Sequence, residues 1–238
     1  MSDKPAIKYN YTFSFPDGQE IACPVELDPD SLEYRPPANQ TIPAWARSED
    51  WPCVECDLAN KRHGHCRVVR NIAVIVEQFR DVASFDIADV TVESDQRTYS
   101  RRQIPVQDAL SSLLGLILTT SGCTVLDLLR PMARLHLPFA SVEETTLRAV
   151  STYLLAQYFR LKHGLSVDWN LDGLLEIYRR IGAININVCE QLRTAVSQDA
   201  SLNAVIVLDT FAQMLHGSIE TEMAQFERLF AAHMTDRD

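Results

Sequence analysis

The chain has 238 residues, 46% hydrophobic and 23% charged, the balance of an ordinary globular protein that can bury a core without staples. Its longest apolar runs, "NIAVIV" (Asn71 to Val76) and "SSLLGLILTT" (Ser111 to Thr120), fall well short of the ~20 residues that cross a bilayer. A net charge of −10 argues against a general nucleic-acid coat or a binder of anionic membranes.

The opening "MSDKPAIKYN" lacks the apolar core of a secretory signal, so the expected setting is cytoplasmic, where structural disulfides are rare. From Ile7 to Leu27 the pattern predicts a β-hairpin. Tyr9, Tyr11, Phe13 and Phe15 alternate with polar residues, and Pro16-Asp17-Gly18 supplies a turn in which Gly can take positive φ. Ile21, Cys23 and Val25 alternate on the returning strand. Residues 28 to 50, rich in Pro, Asp, Ser and Glu, read as an irregular linker.

The segment "CVECDLANKRHGHC" (Cys53 to Cys66) follows, and it draws on a chain with only six cysteines and six histidines. Zinc prefers thiolate and imidazole in a tetrahedron, and structural sites fill all four positions with protein groups. The expected ligands are Cys53, Cys56, His63 and Cys66, with His65 as the alternative fourth. Cys53-x2-Cys56 and His63-x2-Cys66 form two short knuckles, and Gly64 eases the second. A redox pair, an iron–sulfur cluster and plain buried thiols are the competing readings. No separate water-activating base stands beside the cluster in sequence, so the expected cofactor is structural zinc.

Val69, Ile72, Ile75, Val76 and Phe79 then fall at helical spacing within a helix over 68–82. "DIADVTVES" and "QRTYSRR" read as two short strands that pair near Ser94-Asp95. From Pro105 the chain reads as helix throughout. The first helix stops at Gly122, and a second, from Val125 to about His136, is broken around Pro138, with Pro131 inside it predicting a kink or a restart. Ser141-Val-Glu-Glu144 is a capping box that opens a helix through Lys162 to Gly164. Asp168 or Asn170 caps the next helix, with Leu171, Leu174, Leu175, Tyr178 and Ile181 on one stripe. A long last helix runs from Ser201 to about His233, with Gly217 as a candidate interruption.

Basic residues concentrate locally: Lys61, Arg62, Arg67 and Arg70, then Arg97, Arg101 and Arg102. Arg97-x3-Arg101 resembles the arginine pair of PilZ-type cyclic-dinucleotide receptors. That pattern also needs Asp/Asn-x-Ser-x-x-Gly, and "DALSSLLG" has these residue types at the wrong spacing. A solvated strand edge is the simpler reading. Cys123 and His136, with Arg130 and Arg134 between them, read as a buried cysteine and a capping histidine rather than a catalytic pair. His216 and Glu220 read as a surface pair, and Asn185 and Asn187 as satisfied core amides.

"CVECDLANKRHGHC", together with "RTYSRRQIPVQDALSSLLGLILTTSGCTVLDLLRPMARLHLPFASVEET", resembles a family of uncharacterised bacterial proteins, a domain of unknown function. The resemblance runs from "YTFSFPDGQEI" through "TYLLAQYF", about two thirds of the chain. It implies a bacterial source and a cytosolic setting, and carries over no activity and no catalytic residues.

The expected architecture is α+β. A zinc-stapled hairpin and helix region over 1–104 precedes a helical bundle over 105–238, across a soft boundary where the two halves can share one core. The expected function is a non-enzymatic binding or regulatory module acting through a protein partner or self-association. Arg62, Arg67, Arg97, Arg101 and Arg102 are its candidate contact face. An enzyme with a pocket between the halves, and a nucleic-acid factor using the basic knuckle, are the alternatives.

Overall fold

A computed structural model describes residues 4–38, 40–47, 53, 55–56 and 66–234, the side chains of 47 and 215–222 excepted. The chain is α+β. Strands β1 (Ile7–Ser14), β2 (Glu20–Leu27), β3 (Ile87–Ser94) and β4 (Thr98–Pro105) form one antiparallel sheet in the order β2-β1-β3-β4. Gly18, at φ +90°, turns β1 into β2. Tyr11 faces Cys23 on one side and Val92 on the other. Alternation then sends Tyr9, Tyr11, Phe13, Cys23, Val25, Val90 and Val92 to one buried face. On the outer strand β4 only Ile104 is fully covered, and a bulge shifts its register against Ala88 and Val90.

Two helices cover that face. α1 (Arg67–Gln78) buries Val68, Ile72, Ile75 and Val76, and the Phe13 and Phe79 rings meet edge to face at 4.8 Å. α2 (Val106–Thr119) starts directly after Pro105 and is apolar almost all round, as a helix packed on several sides must be. Gly122, at φ +82°, redirects the chain beyond it. The expected helix over 125–136 is instead a 3-10 segment, Leu126–Leu135. Pro131 sits inside it, and proline removes the N–H and crowds the carbonyl that an α-turn needs.

α3 (Val142–Lys162) opens with the complete capping box: Glu144 N–H donates to Ser141 Oγ at 3.1 Å, and Ser141 N–H donates to Glu144 Oε2 at 2.8 Å. α4 (Asp172–Leu192) follows Leu171, which is left-handed at φ +68°. Asp168 braces this turn by accepting the Gly173 N–H and the Tyr153 O–H, each at 2.7 Å. α5 (Ala200–Glu227) runs without a break past Gly217 and ends in a 3-10 segment, Arg228–His233.

One buried cluster extends from Tyr9 of β1 to Ala212 of α5, so sheet and helices share a core across residue 104. Polar ties reinforce it. Asp199, just before α5, accepts from the Ser84 backbone N–H at 2.8 Å and from its hydroxyl at 3.1 Å. The Ser197 hydroxyl reaches the Arg80 carbonyl. Among the described residues no helix is long and apolar enough to cross a membrane.

Candidate functional site

A cavity of about 430 Å3 opens among α2, the 126–135 segment, α3, α4 and α5, within the ~300–1,000 Å3 typical of small-molecule sites. Its walls are mainly apolar, with Leu116, Met132, Ile181 and Phe211 among them. The polar groups on its walls include Asp108, His136, Arg148, Tyr178, Asn185 and several serine and threonine hydroxyls.

Arg148 of α3 lines the cavity and is only partly exposed. Its Nη2 donates to the Met132 carbonyl at 3.1 Å, and among the described residues it forms no ion pair. Glu144, one turn back on the same helix, spends its carboxylate on the Ser141 N–H. Burial lowers the Arg148 pKa, with Tyr178 and Glu144 acting against that shift. The guanidinium is partly withdrawn from water, and no carboxylate among the described residues pairs with it directly. Asn185 of α4, 2% exposed, also lines the cavity, and its Nδ2 has no hydrogen-bond partner among the described residues. Such orphans are uncommon in folded proteins. The sequence suggested satisfied amides here. That holds for Asn187, whose Oδ1 accepts from Gln191 at 2.9 Å, but not for Asn185.

His136 closes one end. Burial pushes its pKa down to about 3, with Arg148 adding to the shift, so the ring is neutral. Its Nε2 lies 2.5 Å from the Tyr11 hydroxyl, which also stands 3.2 Å from Ser112 Oγ. The Tyr9 ring packs edge to face against the same imidazole at 5.1 Å. His136 is the C-cap residue of the 126–135 segment, its N–H donating to the Ala133 carbonyl at 3.3 Å, and its ring links the helical half to the sheet.

Of the expected zinc ligands, Cys53, Cys56 and Cys66 are described; His63 and His65 lie outside the described residues. The Cys56 N–H donates to the Cys53 carbonyl at 3.0 Å, the tight turn a C-x2-C knuckle requires. Cys66 is the N-cap residue of α1, and all six cysteines are free thiols. Cys123 packs against the same core as Cys53 and Cys66. Among the described residues no three Cys, His, Asp or Glu side chains are drawn in far enough to hold a metal ion.

Of the expected arginine face, Arg67 pairs with Glu33 at 3.7 Å, and Arg97, Arg101 and Arg102 stand exposed on or beside the outer strand β4. Arg62 and the side chains of His216 and Glu220 lie outside the described residues. The cavity escaped sequence reading because its polar groups come from separate helices. The traceable signal was an arginine, Arg148, directly before the buried Ala149 and Val150 of α3.

A family model described as "Domain of unknown function (DUF6901)" matches residues 8–231. No curated protein and no solved structure matches the chain.

Proposed function

This chain belongs to the DUF6901 family, and we propose that it is a non-enzymatic binding protein whose helical cavity takes a small apolar molecule with an anionic end, a medium-chain carboxylate being the simplest case. The observation that carries this reading is Arg148: a partly buried cation that forms no ion pair among the described residues, on the wall of a mainly apolar cavity. A carboxylate would satisfy it through two parallel hydrogen bonds, and the tail would replace water along Leu116, Ile181 and Phe211. Asn185 offers a second donor.

Binding is favoured over chemistry because the imidazole at the cavity's end is held neutral and engaged by Tyr11, which makes it a weak base. We also propose that structural zinc fixes the 53–66 segment. Contact with a protein partner or a second copy is supported by the exposed Leu155, Tyr158 and Phe159 of α3.

Calorimetric titration of the full chain with decanoate, decanol and decylamine tests the cavity. Saturable one-to-one binding of decanoate, weakened at least tenfold in Arg148→Gln, is the expected result. Absence of saturable binding, or equal affinity in the variant, overturns the reading.

A further inference from the structure

We propose that the cavity takes an oxo acid: a medium-chain carboxylate with a keto group near the far end of its tail, held at one end by Arg148 and at the other by Asn185. This rests on the cavity reading above and adds a second polar end to the ligand.

Asn185 is the residue that calls for that second group. It is 2% exposed, it lines the cavity, and its Nδ2 has no hydrogen-bond partner among the described residues. An unpaired buried amide N–H costs stability, and an acceptor on the ligand removes that cost. The neighbouring polar groups are placed otherwise. Asn187 Oδ1 accepts from Gln191 Nε2 at 2.9 Å. Asp209 Oδ1 of α5 stands 3.5 Å from where a Gly182 Cβ would be, one turn before Asn185, and Asp209 is not part of the cavity wall.

The fold sets the spacing of the two ends. α3 and α4 meet where Tyr153 abuts Gly173, a Cβ on which would lie 3.2 Å from Tyr153 Cζ. Arg148 and Tyr178 stand equally far along the two helices from that contact, and both line the cavity. Burial raises the Tyr178 pKa and Arg148 acts against the rise, as a nearby cation must. Tyr178, Ile181 and Asn185 then follow at i, i+3 and i+7 on the cavity side of α4. Asn185 therefore lies two turns beyond Tyr178, about 10 Å along the axis at ~1.5 Å per residue. Ile181 of α4 and Leu208 and Phe211 of α5 wall the space beside this stretch, and the Phe211 ring packs edge to face on Tyr178 at 5.8 Å. A ligand that matches this wall is polar at both ends and apolar between.

The chemistry of the far end follows from Nδ2, which only donates. A keto oxygen only accepts and suits it. A hydroxyl would bring an O–H that needs an acceptor of its own, and a second carboxylate would lie buried beside an amide rather than a cation. A plain acyl chain leaves Nδ2 unpaired, which is how such a site discriminates.

Calorimetric titration of the full chain with decanoate, 9-oxodecanoate and 4-oxodecanoate tests this, beside thermal melts of the ligand-free chain and of Asn185→Leu. The expected result is about tenfold tighter binding of 9-oxodecanoate than of decanoate, with no such gain for 4-oxodecanoate. In Asn185→Leu the preference disappears, decanoate still binds, and the ligand-free melting temperature holds or rises because an unpaired buried amide is gone. The comparison of the three acids needs no variant, so a misfolded one does not block it. If decanoate binds and Arg148→Gln weakens it, but 9-oxodecanoate gains nothing over decanoate, this inference falls while the cavity reading stands. A clear drop in the melting temperature of Asn185→Leu means that Asn185 is already paired inside the fold, and overturns the inference in the same way. If none of the acids binds saturably, both fall.

Discussion

The Arg180 guanidinium of α4 donates to the Glu55 carboxylate at 2.6 Å, which ties the Cys53–Cys56 knuckle to the helical half. The two side chains are 29% and 15% exposed, so water screens the pair less than it does a surface ion pair. A double-mutant cycle with Glu55→Gln and Arg180→Gln, read by urea unfolding, is expected to show a coupling of about 1 kcal/mol. Additivity of the two single changes would mean that the knuckle is anchored elsewhere.

His136 gives the fold an acid sensitivity. Its folded pKa of about 3 lies below the ordinary value of 6.5, so between those pH values the unfolded chain binds a proton that the folded chain does not. Stability therefore rises with pH across that window and is lost as pH falls from 6.5 toward 3, at up to ~1.4 kcal/mol per pH unit. His136→Gln should flatten this part of the stability–pH curve, measured by denaturant titration at a series of pH values.

Gly173 sits where a side chain has no room. A Cβ there would collide with the Tyr153 hydroxyl and lie 3.2 Å from Asp168 Oδ2. Gly173→Ala must therefore displace the Tyr153–Asp168 bond that braces the α3–α4 turn, at an expected cost of about 1–3 kcal/mol. Gly18→Ala offers a contrast. Nothing lies within 4 Å of its Cβ, so only the positive φ opposes it and the cost falls to about 1 kcal/mol. Thermal melts of the two variants should rank in that order.

Ser141→Ala removes the hydroxyl that receives the Glu144 N–H. The expected loss is about 1 kcal/mol, seen as a fall of about 2–4 °C in melting temperature.

Short-range signals were readable from the residues alone. The alternation of Tyr9, Tyr11 and Phe13, the spacing of Val69, Ile72 and Val76, and the Ser141–Glu144 box each specify an element through neighbours a few positions away. The segment around Pro131 was read as a kinked helix and is 3-10, because whether a proline kinks an α-helix or converts it depends on what packs on either side. Asn185 was misread for a different reason, since its environment is a cavity assembled from separate helices, and the bond of His136 to Tyr11 joins residues 125 positions apart in sequence. Spacing along the chain is silent about such meetings.

β1 lies inside the sheet although it comes first in the chain. Its bond to β2 forms across a tight turn, but its bond to β3, Tyr11 opposite Val92, must wait until the long intervening stretch has been gathered in. Contacts so distant in sequence slow folding. In pulse-labelled refolding the β1–β2 seam should acquire protection from amide exchange first. The β1–β3 seam should acquire it late, together with the helices that lie across it, so that searching for this one register sets the pace at which the molecule matures.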